Sequence, residues 1–254
     1  MNFRVSVNSA LSVLAFVALS GTAMANFPNL VVNGGFETTS LTASGQINTT
    51  NVTGWSSPYD PAFYNFIYFP GEITTSQVGA VDTDGSNAFV WLYGPNNTQT
   101  FPLSQNGGNF LAADGDPNYS KPISQTISGL TAGQTYDLSF DWGGAQFTTL
   151  TGNTTESWLV SLGAETESTG FINNASESFT GWKSANMIFT ATGTSEVLSF
   201  LAVGTPAGEP PVSVLDGISL TQTPEPAFLA PLILGLGALV FAARRRRKSA
   251  SQTL

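Results

Sequence analysis

The chain has no cysteine and no histidine among its 254 residues, and only 10% of them are charged. Without cysteine no disulfide can hold the fold, whatever the redox state of its compartment. Without histidine the commonest general base is missing, along with the commonest ligand for zinc, copper and iron. Triad hydrolases and transition-metal enzymes are therefore disfavoured, while oxygen-ligated calcium stays open. Bases are scarce as well. Apart from Arg4 and the five at Arg244 to Lys248, the only ones are Lys121 and Lys183, which face 16 acids between residues 26 and 223, a balance of about −14. A surface of that sign cannot neutralise phosphate, so nucleic acid is not an expected partner. A glycosidase needs two carboxylates set across the scissile bond. No spacing among the acids singles out such a pair, so no catalytic residue is assigned and no enzyme activity is expected.

The two ends carry addressing signals. Arg4, the apolar run Leu11 to Leu19 and the small residues around Ala23-Met24-Ala25 read as a signal peptide over residues 1–25, cut after Ala25. A retained anchor is the other reading, but the run is shorter than the roughly 20 residues that span a bilayer. At the far end Pro224-Glu225-Pro226 precedes the apolar stretch Ala227 to Ala243, the cluster Arg244-Arg245-Arg246-Arg247-Lys248 and a short tail, residues 249–254. A basic cluster beside a transmembrane helix keeps that side cytoplasmic, which puts everything before Pro224 across the inner membrane. An ordinary tail anchor also fits the helix and arginines.

The order Pro-Glu-Pro, apolar helix, Arg-rich end resembles the PEP-CTERM sorting signal of exopolysaccharide-producing Gram-negative bacteria. The resemblance covers about the last thirty residues, 224–248 and the tail. It implies an exosortase-type processing enzyme as partner, cutting near Pro224, Glu225 and Pro226 and passing the domain to the envelope, cell surface or extracellular matrix.

Residues 26–223 read as one all-β domain. Short β-branched and aromatic runs alternate with Gly, Asn, Ser, Thr and Pro clusters, and no long helical period occurs. The clearest strand is Thr135 to Trp142, with Tyr136, Leu138, Phe140 and Trp142 on one face and Asp137, Ser139 and Asp141 on the other. Trp158, Val160 and Leu162 share a face in the same way, as do Leu198, Phe200 and Ala202. Further strands are expected at Leu30 to Val32, Ala88 to Tyr93, Ile123 to Ile127, Ala185 to Thr190 and Val212 to Leu220, with Gly129 to Gly133 linking two antiparallel strands.

Asn33-Gly34-Gly35-Phe36-Glu37, Asp114-Gly115-Asp116, the run Ile123 to Tyr136, and Leu215-Asp216-Gly217-Ile218-Ser219-Leu220 together resemble galactose-binding-like modules of bacterial carbohydrate-binding proteins. That resemblance implies a single antiparallel jelly-roll β-sandwich that binds polysaccharide or packs into matrix; an immunoglobulin-like sandwich is the alternative. It also implies a structural calcium held by Glu37 and Asp216, although Gly217 stands where the related modules usually carry a second Asp or Asn. The competing reading is that Glu37 and Asp216 cap turns. Asp82 to Asn87 and Asp114-Gly115-Asp116 have closely spaced carboxylates but read foremost as turns. For a sugar platform the candidates are the aromatics from Tyr59 to Phe69 and Trp91 with Tyr93; Trp55, Trp142 and Trp158 are expected in the core. The functional expectation is a surface or matrix protein that binds polysaccharide, the alternative a structural or adhesive protein with no small ligand.

Overall fold

Alternation of apolar and polar residues becomes two antiparallel sheets laid face to face. A computed structural model describes residues 27–58, 64–70, 79–81, 87–89, 92–98, 100–148, 150–209 and 211–224. Its strands are β1 (Gly45–Gln46), β2 (Asn65–Tyr68), β3 (Gly79–Val81), β4 (Asn87–Phe89), β5 (Phe110–Asp114), β6 (Ile123–Ser128), β7 (Thr135–Gln146), β8 (Thr154–Leu162), β9 (Glu165–Ser168), β10 (Ile172–Asn174), β11 (Lys183–Thr190), β12 (Ser195–Thr205) and β13 (Pro211–Gln222). One sheet has six strands in the order β1-β2-β5-β13-β7-β11 and the other five in the order β10-β8-β12-β6, with β9 also on β8. β3 and β4 pair with each other. Consecutive strands cross between the large sheets from β5 to β8 and again from β11 to β13.

The inward faces match the sequence pattern. Tyr136, Leu138, Phe140 and Trp142 of β7 are buried against Trp158, Val160 and Leu162 of β8 and Leu198, Phe200 and Ala202 of β12. Trp55 joins them, its indole N–H donating to the Asn33 carbonyl at 2.9 Å. Each large side chain withdrawn from water here contributes roughly 1.5–3 kcal/mol. The six-stranded sheet is also covered on part of its outer face, where Phe66, Tyr68, Phe110, Val212 and Val214 pack with Leu92, Phe101, Phe147 and Phe179.

Three expectations need correction. Leu30 to Val32 is not a strand: Leu30 N–H reaches the Leu220 carbonyl, but Val31 and Val32 give theirs to the side chains of Asn29 and Gln125. Asn33 then turns the chain at φ 55°. Gly129 to Gly133 joins strands of different sheets, since β6 pairs with β12 while β7 pairs with β13 and β11. Nor does Ala88 to Tyr93 run as one strand with β4. Leu92 bridges Phe147 and Tyr93 N–H donates to the Gln146 carbonyl, placing both at the end of β7.

Both ends of the unit Phe27–Thr223 are tied to the same end of the sandwich. Thr223 N–H donates to the Thr135 carbonyl at 2.9 Å and the two hydroxyls meet, while Leu30 N–H holds Leu220. Among the described residues no helix is long and apolar enough to cross a membrane. The leader with Ala25, and Glu225, Pro226, the stretch 227–243 and the cluster 244–248, lie outside the described residues.

Candidate functional site

Two places on the sandwich bring chemistry-bearing side chains together. The first joins the chain ends. Gly34 lies so close to the Ile218 carbonyl that any Cβ there would overlap it, and its own carbonyl accepts from Ile218 N–H at 3.0 Å. That contact lays the Asn33 to Glu37 turn against β13. From the site of a Cβ on Gly35, Asp216 Oδ1 is 3.6 Å away and Glu37 Oε1 4.0 Å. The pair anticipated from the sequence is thus side by side.

Both carboxylates also hold main-chain amides: Glu37 Oε1 accepts from Asn109 N–H at 2.7 Å and Asp216 Oδ1 from Gly217 N–H at 2.6 Å. Asp216 Oδ2 accepts from the Ser104 hydroxyl. Burial pushes the Asp216 carboxyl up to about 7, with the Glu37 and Asp141 charges acting in the same direction. Asp141 is its cross-strand neighbour on β7 and accepts from Asn106 Nδ2 at 3.1 Å and the Ser184 hydroxyl at 2.7 Å. Gly217 sits at φ 61° in a β-bulge, and the Asn106 amide fills the space a side chain there would need. Glycine in place of Asp or Asn is therefore imposed by backbone and packing. The donor set is hard oxygen, the chemistry calcium takes, but among the described residues no three acidic side chains converge as a metal cage. An ion here would rest on two carboxylates completed by carbonyls, the Ser104 hydroxyl or water.

The second place is a ring pair near the start of β13, across β5 from it. Tyr64 precedes β2 and continues its outer row of aromatics, 6.0 Å from Phe66. Tyr119 stands 5.5 Å from Tyr64, the rings inclined at 55°. Tyr119 is 38% exposed and Tyr64 half-buried. A stacked turn supports them. Asp114 Oδ1 accepts from Asp116 N–H, and Asp116 Oδ1 takes both the main-chain and side-chain N–H of Asn118 at 2.9 Å. Asp116 Oδ2 accepts from Gly208 N–H at 2.7 Å. Asp114-Gly115-Asp116 is thus turn chemistry, and it fixes Asn118, exposed, next to Tyr119 in the chain. Phe171 is more exposed, at 62%, but has no ring beside it among the described residues.

The other sites named from the sequence are placed as follows. Tyr93 is half-buried, its hydroxyl donating to the Thr148 carbonyl at 2.8 Å and meeting Glu177 Oε1 at 3.1 Å. Burial, then Glu177, raises its pKa. Trp91, Tyr59 to Phe63 and Asp82 to Ser86 lie outside the described residues. Trp55, Trp142 and Trp158 are core residues. Sequence reasoning did not anticipate Tyr119, Ser104, Asn106 or Asp141, because each acts through a partner remote in the chain, nor Asn118, whose bond to Asp116 is local turn chemistry that says nothing of the ring pair.

No family model matches the chain, and no curated protein does. Similar solved structures include a family 61 carbohydrate-binding module in complex with β-1,4-galactotriose, 15% identical over 77% of this chain and 99% of that one, with a TM-score of 0.39. A family 4 carbohydrate-binding module is 14% identical over 76% of this chain and 99% of its own, TM-score 0.35. The CBM22-1 xylan-binding domain of Paenibacillus barcinonensis Xyn10C is 10% identical over 76% of this chain and 93% of its own, TM-score 0.35. At these values the likeness bears on neither ligand nor chemistry.

Proposed function

We propose that this is an exported, non-catalytic surface or matrix protein whose jelly-roll domain binds a neutral polysaccharide at the Tyr64–Tyr119 tip. The observation that carries the reading is the Tyr64–Tyr119 ring pair, Tyr119 exposed and Tyr64 half-buried, with the fixed Asn118 next to Tyr119 in the chain. A tyrosine ring offers a flat apolar face for the C–H side of a pyranose, with a polar tip. With its main-chain N–H and one side-chain N–H on Asp116, Asn118 keeps its amide oxygen to accept from, and a second amide N–H to donate to, sugar hydroxyls. The charge of about −14 favours an uncharged polymer over an anionic one. Export by the leader cut after Ala25, and exosortase processing at Pro224 to Pro226, complete the reading.

The test is binding of the purified protein to a panel of neutral polysaccharides by affinity electrophoresis or calorimetry. Tyr119→Ala and Tyr64→Ala are each expected to weaken binding about tenfold, roughly 1.4 kcal/mol. If no polysaccharide binds, or both variants bind as the parent does, the tip is not the site and the structural or adhesive reading takes its place.

Calcium at Glu37 and Asp216 belongs to the same proposal as a tie between the chain ends. Calcium binds only the folded form, so at about 100 times its dissociation constant it adds roughly 2.7 kcal/mol, or about 5–10 °C in Tm. Chelator should remove that increment, calcium should restore it better than magnesium, and Glu37→Gln or Asp216→Asn should abolish the response. A metal-stripped protein that melts identically with and without added calcium leaves both residues as turn caps.

A further inference from the structure

Among the described residues no strand pairs with the outer edge of β11, which is unlike the other three edges of the two large sheets. β1 is only two residues long. β9 and β10 are short, separated by a break at Thr169 to Phe171, and β9 carries Glu165 and Glu167. β6 is met at Ser124 by a bridge from Ser56, and its Gln125 side chain holds both main-chain groups of Val32. Short strands, charge and cover are the usual ways of blunting an edge. β11 runs eight residues without proline or bulge, and its one charge, Lys183, is at its first position.

Its hydrogen-bonding direction is fixed by its neighbours. Ala191 N–H donates to the Gln134 carbonyl, so in antiparallel alternation Phe189, Met187, Ala185 and Lys183 turn their main-chain groups towards β7. Thr190 N–H points the other way and is taken by Glu165 Oε2 at 2.8 Å. Ser184, Asn186 and Ile188 therefore direct their N–H and C=O outward. Ile188 is 55% exposed. The edge borders an open groove of about 620 Å³ whose walls include Glu167, Ile172, Lys183 and Ile188.

We propose that this edge is a self-pairing surface, on which β11 of a second copy continues the six-stranded sheet through a two-fold axis at Asn186. A two-fold antiparallel pairing centred there matches Ser184 with Ile188 of the partner subunit, so that the outward main-chain groups of Ser184, Asn186 and Ile188 all find partners. Charge supports a second copy as the occupant. The antiparallel arrangement brings Lys183 to the Thr190 end of the other strand, where Glu165 of the partner subunit sits. The net charge of each copy opposes association at long range, so pairing strengthens as salt screens it.

The absence of native cysteine allows a direct test on the full-length chain. Asn186→Cys places two thiols across the axis at the Cα separation of a bonded antiparallel pair, about 5.5 Å, within disulfide range. Under mild oxidation it is expected to cross-link at least tenfold more than Val197→Cys, an exposed position on β12 of the other sheet. Yield should rise from about 0.01 M to about 1 M salt. Adding Ile188→Lys, a change at an exposed site, should reduce cross-linking to the control level. Equal cross-linking of the two cysteines, a yield that falls with salt, or cross-linking that survives Ile188→Lys overturns the pairing.

Discussion

Trp158→Ala is expected to destabilise the domain by about 3–5 kcal/mol, a large part of the roughly 5–15 kcal/mol that holds a domain folded. Trp158 is fully buried on β8, with the Phe200 ring edge-on at 6.0 Å. Its indole N–H crosses between the sheets to donate to the Val214 carbonyl of β13 at 3.1 Å. Truncation leaves both a cavity and a buried carbonyl with one partner fewer. Trp158→Phe retains most of the ring and loses the hydrogen bond, so it should cost distinctly less than the alanine variant. Urea unfolding checks both. A loss below about 1 kcal/mol for alanine would mean that the sheets close over the gap, against the usual behaviour of large core truncations.

The second large effect is with pH. Glu156 precedes Trp158 on the same face of β8 and is wholly buried. One oxygen accepts from the Thr154 hydroxyl, while the other has no partner and lies against Gly144 of β7. Burial pushes its pKa up to about 8 from 4.5, with the Thr154 bond acting in opposition. The folded state therefore keeps a proton that the unfolded chain has already released. Stability is full below about pH 4.5 and falls as pH rises towards 8, by roughly 1.4 kcal/mol per pH unit from this group. Asp114 and, without calcium, Asp216, each raised by burial to about 7, contribute in the same direction. In chelator, Glu156→Gln should flatten the upper part of the profile, leaving the portion due to Asp114 and Asp216. A melting temperature that stays level from about pH 5 to pH 8 would show that Glu156 ionises without cost and that its surroundings admit water.

Much of the fold was legible because a half-buried strand has a period of two residues. β7, β8 and β12 show it plainly, and each core face predicted from it is the face observed. Turns between sheets were not legible. Gly129 to Gly133 has the composition of a hairpin loop, and only the pairing of β6 with β12 reveals that it changes layer. At Leu30 to Val32 an apolar run looked like a strand, but the Asn29 and Gln125 side chains supply what a ladder would. The closeness of Glu37 and Asp216 was expected from the resemblance and from the first and last strands of a jelly roll lying side by side, since nothing in their spacing requires it. The groups around them depend on a bulge at Gly217 that brings the Asn106 loop over Asp141. Tyr119 lies in a run of turn residues, and its role as one ring of a pair emerges only when β2 and β5 lie side by side.

The tie between Thr223 and Thr135 has a mechanical consequence. A chain held by its C-terminal end while the Tyr64–Tyr119 tip grips a polymer takes tension lengthwise through β13, which spans about 40 Å at roughly 3.3 Å per residue. β13 is bonded to β5 on one side and β7 on the other. Its hydrogen bonds lie across the pull and are loaded in shear together, whereas an edge strand pulled from its end would peel away bond by bond. Under the proposed function, such a sandwich would bear load along β13 between a C-terminal attachment and the tip.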